Sequence, residues 1–330
     1  MTAGHLMAAE IAQAPGVFAA TASVDQSAIV EPLSIRSKNA IYTVARGSSD
    51  AAANILSYEF MRELGLPMTS LPPSVFSVGA GVAMHGTTTI LVSQSGASDD
   101  LVRSASGIKD RGGVVLAITN VPGSPVEKIA HATLAMGAGP ELAVPATKSV
   151  VGSIAAGMAL LAALKPGYDA AAAGAVFPQN QPLPQAKALT GALLLAQHVY
   201  VIGRDTGYGA AHEVALKLKE CCALHAEAYS SAEVLHGPLQ LVTKPLLILM
   251  LDTGDAAVQD SLNTAEARFR GAGGTVFRVR PSDIGVTQML PAAAAALLLC
   301  LVYPVILATA LALGHDPDRP ATLSKVTQTR

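Results

Sequence analysis

The sequence predicts an α/β protein of two tandem domains, each a parallel sheet flanked by helices. Two observations carry this. The chain repeats itself, and each half runs strand, polar turn, helix, strand, polar turn, helix, the order of a parallel sheet covered on both faces. Ile41-Tyr42-Thr43-Val44-Ala45-Arg46-Gly47-Ser48 is answered by Val199-Tyr200-Val201-Ile202-Gly203-Arg204-Asp205-Thr206. Helix-like stretches follow at 50–64 and 210–224.

The next elements match as well. Thr89-Ile90-Leu91-Val92 leads into Ser93-Gln94-Ser95-Gly96, and the apolar run 246–251 leads into Asp252-Thr253-Gly254-Asp255. Arg111-Gly112-Gly113-Val114-Val115-Leu116 corresponds to 271–277. The segment Phe177-Pro178-Gln179-Asn180-Gln181-Pro182-Leu183-Pro184 is a linker by composition, and the alanines from Asp169 to Ala175 before it predict a helix. The domains expected are an N-terminal helical segment over 1–35, a first domain over 36–178 and a second over 186–330.

Composition narrows the function. At 330 residues there is room for two cores. Formal net charge is −2 with no long basic run, which argues against nucleic acid. Cys221, Cys222 and Cys300 form no CxxC pair, which suits a reducing compartment and no zinc knuckle. No signal-like basic and apolar stretch opens the sequence. The apolar stretches 292–313 and 150–164 end the two halves and are expected to be buried helices rather than membrane spans. A cytoplasmic location without membrane attachment is the expectation.

Two loops predict an anion site. Ser93-Gln94-Ser95-Gly96-Ala97-Ser98 stands where a strand turns into a helix, and Gly47-Ser48-Ser49 follows the neighbouring strand. Helix N-termini leave N–H groups unpaired and carry partial positive charge. A phosphate dianion uses both, serine hydroxyls add donors, and glycine allows close approach. Ser98 as a simple helix cap is the competing reading. The loop lacks the P-loop pattern, and Gly203 to Gly209 lacks dinucleotide spacing.

Glu213, Lys217 and Glu220 share one helix face by their spacing. Either they form a solvated ladder or they belong to an acid–base site. Polar residues bunch here in a chain only 14% charged: Lys217, Lys219, Glu220, His225, Glu227, Glu233 and His236. A carboxylate beside lysine and histidine suits proton transfer next to a carbonyl. His225-Ala226-Glu227 has no metal-ligand spacing. No metal or cofactor is expected.

SQSGAS (93–98), AITNVPGSP (117–125), AVPATKS (143–149), ALKLKECCALHAEAYSSAEVLHGPL (215–239) and DPDRPATLSKVT (316–327) together resemble the isomerase half of the glucosamine–fructose-6-phosphate aminotransferase family. The resemblance runs from about Tyr42 to Thr327. It implies two tandem sugar-isomerase (SIS) domains, each a flavodoxin-like three-layer sandwich. Ser48, Ser49, Ser93, Gln94, Ser95 and Ser98 would hold a sugar phosphate, with Gly47 beside them. Val144 would give the sugar a backbone contact. Glu220 would move a proton between C1 and C2, and Lys217 would support it. His236 would assist ring opening from across a homodimer interface. Lys325 would form a Schiff base with the open-chain ketose.

Some positions depart from the family. Pro145 and Ala146 stand for Ala-Ser, Ala97 for Glu, and Ser324 for Ala. The glutaminase domain and its N-terminal cysteine are not found in these residues, so glutamine hydrolysis is not expected from them. The expected function is an amino-sugar-phosphate isomerase and deaminase acting on glucosamine 6-phosphate and fructose 6-phosphate. The alternatives are aminotransferase-type activity, a fructosamine-6-phosphate deglycase, another ketose/aldose isomerase, or a sugar-phosphate sensor without chemistry.

Overall fold

The structure, a computed structural model, describes residues 2–243 and 245–325. The end of the last family-like stretch, Val326 and Thr327, and the remainder of the second expected domain lie outside these residues. The chain divides into two compact units that exchange segments along the sequence. The first holds Gly16–Glu141 and Lys148–Phe177. The second holds Met1–Pro15, Leu142–Thr147 and Pro178–Lys325. Helix α1 (His5–Ala22) contributes to both, and Pro15 and Gly16 mark the change.

In the first unit the chain runs α2 (Ser27–Leu33), β1 (Ala40–Val44), α3 (Gly47–Leu64), β2 (Met68–Ser70), α4 (Ser74–Ser77), β3 (Thr87–Ser93), α5 (Asp99–Asp110), β4 (Val114–Thr119), α6 (Pro125–Ile129), β5 (Ala132–Ala135), α7 (Lys148–Leu164) and α8 (Ala170–Ala175). The sheet is parallel in the order β2-β1-β3-β4-β5. Its central strands are buried almost throughout, as expected where helices cover both faces. The order reverses between β1 and β3, because β2 lies on one side and β4 on the other. Ligands bind beyond the carboxyl ends of strands at such a switch point.

In the second unit follow α9 (Ala186–Leu195), β6 (His198–Gly203), α10 (Thr206–Cys222), β7 (His225–Ser230), β8 (Leu247–Leu251), α11 (Gln259–Gly271), β9 (Thr275–Val279) and α12 (Pro291–Ala312). This sheet is also parallel, in the order β7-β6-β8-β9. The repeat read from the sequence is therefore structural: β1, α3, β3 and β4 answer β6, α10, β8 and β9. Each repeated apolar run became a strand because it is short, apolar and closed by a polar turn.

Helix α12 is long and apolar enough to cross a membrane, yet 72% of its apolar window is buried inside the fold. It packs on α9 and α10. Tyr303 within it is fully buried and donates to Glu213 Oε1 of α10 at 3.0 Å. Helix α7, apolar all round, is likewise a core helix, with nearly every residue from Lys148 to Leu161 buried.

Candidate active site

The two serine loops of the first unit stand at the carboxyl ends of adjacent strands. Gly47, Ser48 and Ser49 form the first turn of α3 after β1; Ser93 ends β3, and Ser98 is the N-cap residue of α5. Gly47 and Gly96 both hold positive φ, at 52° and 59°. At Gly96 a Cβ would meet Ser124 Oγ at 2.2 Å, so only glycine fits the turn.

Internal bonds shape this loop. Ser93 Oγ accepts from Gly96 N at 3.1 Å, and Ser95 Oγ accepts from Ala97 N at 3.3 Å. Arg46 Nε donates to Asp100 Oδ2 at 2.9 Å and ties the two loops together. This pairing also neutralises a buried carboxylate in the first turn of α5, where a bound dianion would otherwise be repelled. Ser98 takes extended dihedrals but makes no side-chain cap bond. The capping alternative therefore fails, which leaves the Ser98 hydroxyl to other work.

The residues read as acid–base candidates lie in the second unit. Lys217 Nζ lies 3.3 Å from Glu213 Oε1 and 2.6 Å from Glu220 Oε2. Lys217 and Glu213 are fully buried, while the Glu220 side chain keeps 24% of its surface exposed. A solvated ladder is thus excluded. Burial alone would lower the Lys217 pKa, but the two carboxylates outweigh it and hold the value above the ordinary lysine range. The ammonium is fixed, and it presents a charged partner to Glu220 at the edge of a cavity.

That cavity has a volume of ≈ 560 Å³. Lys219, Glu220, Cys221 and Ala223 line one side, and Gly314 to Asp316 with Arg319 to Leu323 line the other. The segment beyond carries Ser324 and Lys325. Lys325 Nζ donates to Ala143 O at 2.7 Å, in the loop that also holds Val144 and Ala146. The Val144 N–H donates to Asp318 O at 3.2 Å.

The rest of the polar bunch disperses. His225 and Glu227 lie on β7, and both line a smaller cavity of ≈ 180 Å³ that also takes in His198 and Tyr200. Parallel register sets His225 directly beside His198, with the two Nδ1 atoms 3.4 Å apart. Neither joins Glu220. Glu233 is exposed on a 3-10 turn. His236 follows that turn, exposed, and does not line the Glu220 cavity.

Cys221 and Cys222 are buried free thiols, and burial raises both pKa values, that of Cys222 to about 12.

Three features went unread in the sequence. Arg46–Asp100 is one. Asp318 is another. The third is the set of donors around Asp252, in the turn of the second repeat that matches the serine loop. There Asp252 Oδ2 accepts from Arg278 at 2.8 and 3.0 Å and from Arg280 at 3.2 Å, while Oδ1 accepts from Gly254 N and Gln259. Burial favours the neutral acid, but these donors outweigh it and hold the carboxyl below its usual range. The second repeat meets its own anion demand with a side chain, whereas the first offers serine donors.

The SIS domain model matches residues 34–163 and 192–288. The chain belongs to the SIS-domain family. Among relatives of this SIS chain is the isomerizing glutamine–fructose-6-phosphate aminotransferase of Aeropyrum pernix, 31% identical over 97% of this chain and 57% of that protein. The corresponding enzyme of Symbiobacterium thermophilum is 33% identical over 81% of this chain and 48% of that protein. The chain thus spans about half the length of the curated relatives it matches. A crystal structure of a candidate phosphosugar isomerase from Silicibacter pomeroyi DSS-3 superposes with a TM-score of 0.83 and 32% identity, over 94% of this chain and 99% of that one. Glucosamine-6-phosphate deaminase from Thermotoga maritima shares the fold at a TM-score of 0.77 and 20% identity, over 98% of this chain and 100% of that one.

Two outcomes test the site. Lys217→Met leaves the buried Glu213 carboxylate without its cation and is expected to cost about 3–5 kcal/mol at neutral pH. Because folding raises the lysine pKa, this stabilisation is complete below the ordinary value of 10.5 and is lost as pH climbs through the raised folded value. In denaturant titrations the gap between wild type and variant should therefore close at strongly alkaline pH. Ser98→Ala should leave stability nearly unchanged, since no cap bond is lost, where loss of a working serine cap costs roughly 1 kcal/mol. The same variant should weaken sugar-phosphate binding by calorimetry.

Proposed function

We propose that this SIS-family chain is an amino-sugar-phosphate isomerase and deaminase that converts glucosamine 6-phosphate and water to fructose 6-phosphate and ammonia. One observation carries the reading: a carboxylate at a cavity edge, Glu220, is held by a fully buried lysine cation. A merely structural ion pair does not need its carboxylate facing solvent, whereas a base that must reach a substrate does.

In this reading the serine loops take the phosphate. His236 assists ring opening and does so from a partner copy, in a homodimer with a shared site. Glu220 removes the C2 proton of the open-chain aldose, exchanges it with solvent at its partly open carboxyl, and delivers a proton to C1, which moves the double bond to C2 and leaves a ketose imine. Lys217 favours the ionised base before abstraction. The Lys325 amine adds at C2 and ammonia departs. Water then hydrolyses the lysine imine and frees fructose 6-phosphate. An imine is the better electron sink, so with ammonia supplied the same steps run in reverse. Val144, Ala146 and Ser324 flank the sugar. The soluble, cytoplasmic setting expected from the sequence fits such a metabolite.

The relatives named as isomerizing aminotransferases support the substrate class, and the buried Lys217 supports a chemical role over simple sensing. The test is direct. Purified protein given glucosamine 6-phosphate should release ammonia, and Glu220→Gln should lower kcat by about 10²-fold or more, the contribution usual for a general base. No release, or a Glu220→Gln variant equal to wild type, contradicts the reading. Release from a fructosamine 6-phosphate but not from glucosamine 6-phosphate would assign the deglycase reaction instead.

A further inference from the structure

We propose that Asp318 is a positioning residue for Lys325, acting by clasping the Lys325 segment and the 142–147 loop to the first turns of α1. This rests on the imine role given to Lys325 above.

The first turn of an α-helix leaves N–H groups without partners, and a nearby Ser, Thr, Asp or Asn usually satisfies them. The residue just before helix α1 is Gly4, which has no side chain to do so. Gly4 holds φ +72°, where a side chain is strained, and a Cβ there would fall 2.8 Å from Leu307 Cδ1. The cap arrives from the far end of the chain. Asp318 Oδ1 accepts from Met7 N at 2.8 Å, and Oδ2 accepts from Leu6 N at 2.9 Å. His5 Nδ1 lies 3.1 Å from the same Oδ2. Asp316 Oδ1 accepts from Gly4 N and from Asp318 N, both at 3.1 Å. Asp318 is only 3% exposed.

The same helix holds the loop that receives the lysine. Glu10, 4% exposed, accepts from the N–H groups of Leu142 and Ala143. Ala143 O accepts from Lys325 Nζ at 2.7 Å, and Val144 N donates to Asp318 O at 3.2 Å. The bonds close a circuit: amine, loop carbonyl, Glu10, first turn of α1, Asp318, and along the chain back to the amine. A cap needed only for stability could sit anywhere. This one sits seven residues before the amine and also grips the loop on which the amine rests. Misplacing a reacting group by about 1 Å costs on the order of 10²-fold in rate, so such a frame has a catalytic consequence.

The test uses the full chain with Asp318→Ala and the milder Asp318→Asn, which keeps one acceptor oxygen. Hydrogen exchange should show residues 4–8, 142–147 and 316–325 losing protection together in Asp318→Ala and less in Asp318→Asn. With fructose 6-phosphate and borohydride, the adduct on Lys325 should form at least about tenfold more slowly in Asp318→Ala. In a Lys325→Ala background the Asp318→Ala change should cost no further turnover, whereas a structural role would lower both backgrounds equally. Undiminished adduct formation in Asp318→Ala, or an equal loss in both backgrounds, overturns the positioning role. Absence of any Lys325 adduct in wild type, with exchange protection intact, overturns instead the imine role on which it rests.

Discussion

The chemistry proposed for this chain depends on one buried cation. Lys217 sits wholly inside α10, between a fully buried Glu213 and a partly open Glu220. An ammonium taken from water is expensive unless partners meet its charge, and removing any one partner leaves the others stranded. Glu213 is anchored in turn by the Tyr303 hydroxyl of α12. The apolar helix that could be mistaken for a membrane span is thus the wall that desolvates the pair. Its burial fixes Lys217 in place, the two carboxylates keep the amine charged against that desolvation, and the fixed ammonium faces Glu220 at the cavity edge.

The two sheets share a plan and differ at their strand ends. In the first, β1 and β3 open into glycine and serine turns whose one buried acid is cancelled by Arg46. In the second, the matching turn carries Asp252, already surrounded by arginine and amide donors. A carboxylate so supplied occupies the role that a bound anion would fill. The two strand ends thus differ in what they offer: a filled carboxylate in the second sheet, serine and glycine turns in the first.

Local regularities were legible in the sequence. The strand-and-turn repeat, the shared helix face of Glu213, Lys217 and Glu220, and the burial of α7 and α12 all follow from periodicity and composition. Proximity in sequence misled where a strand intervened. His225 and Glu227 lie close to Glu220 along the chain, but β7 carries them to pair with β6, into another cavity. Ser98 has the identity of a cap and does not act as one, because identity does not fix a hydroxyl rotamer. Arg46–Asp100 joins residues on different strand ends, and Asp318 meets α1 from more than three hundred residues away. Contacts of that kind depend on the completed fold and leave no local signal.

The central claim is that Glu220 carries a proton between neighbouring carbons of an amino-sugar phosphate. Turnover of glucosamine 6-phosphate in deuterium oxide, followed by proton NMR of the fructose 6-phosphate formed, tests it most directly. Solvent deuterium at C1 in the wild-type product, lost together with product when Glu220 becomes glutamine, is the expected result. Deuterium entering at C1 at an undiminished rate in the glutamine variant would contradict it.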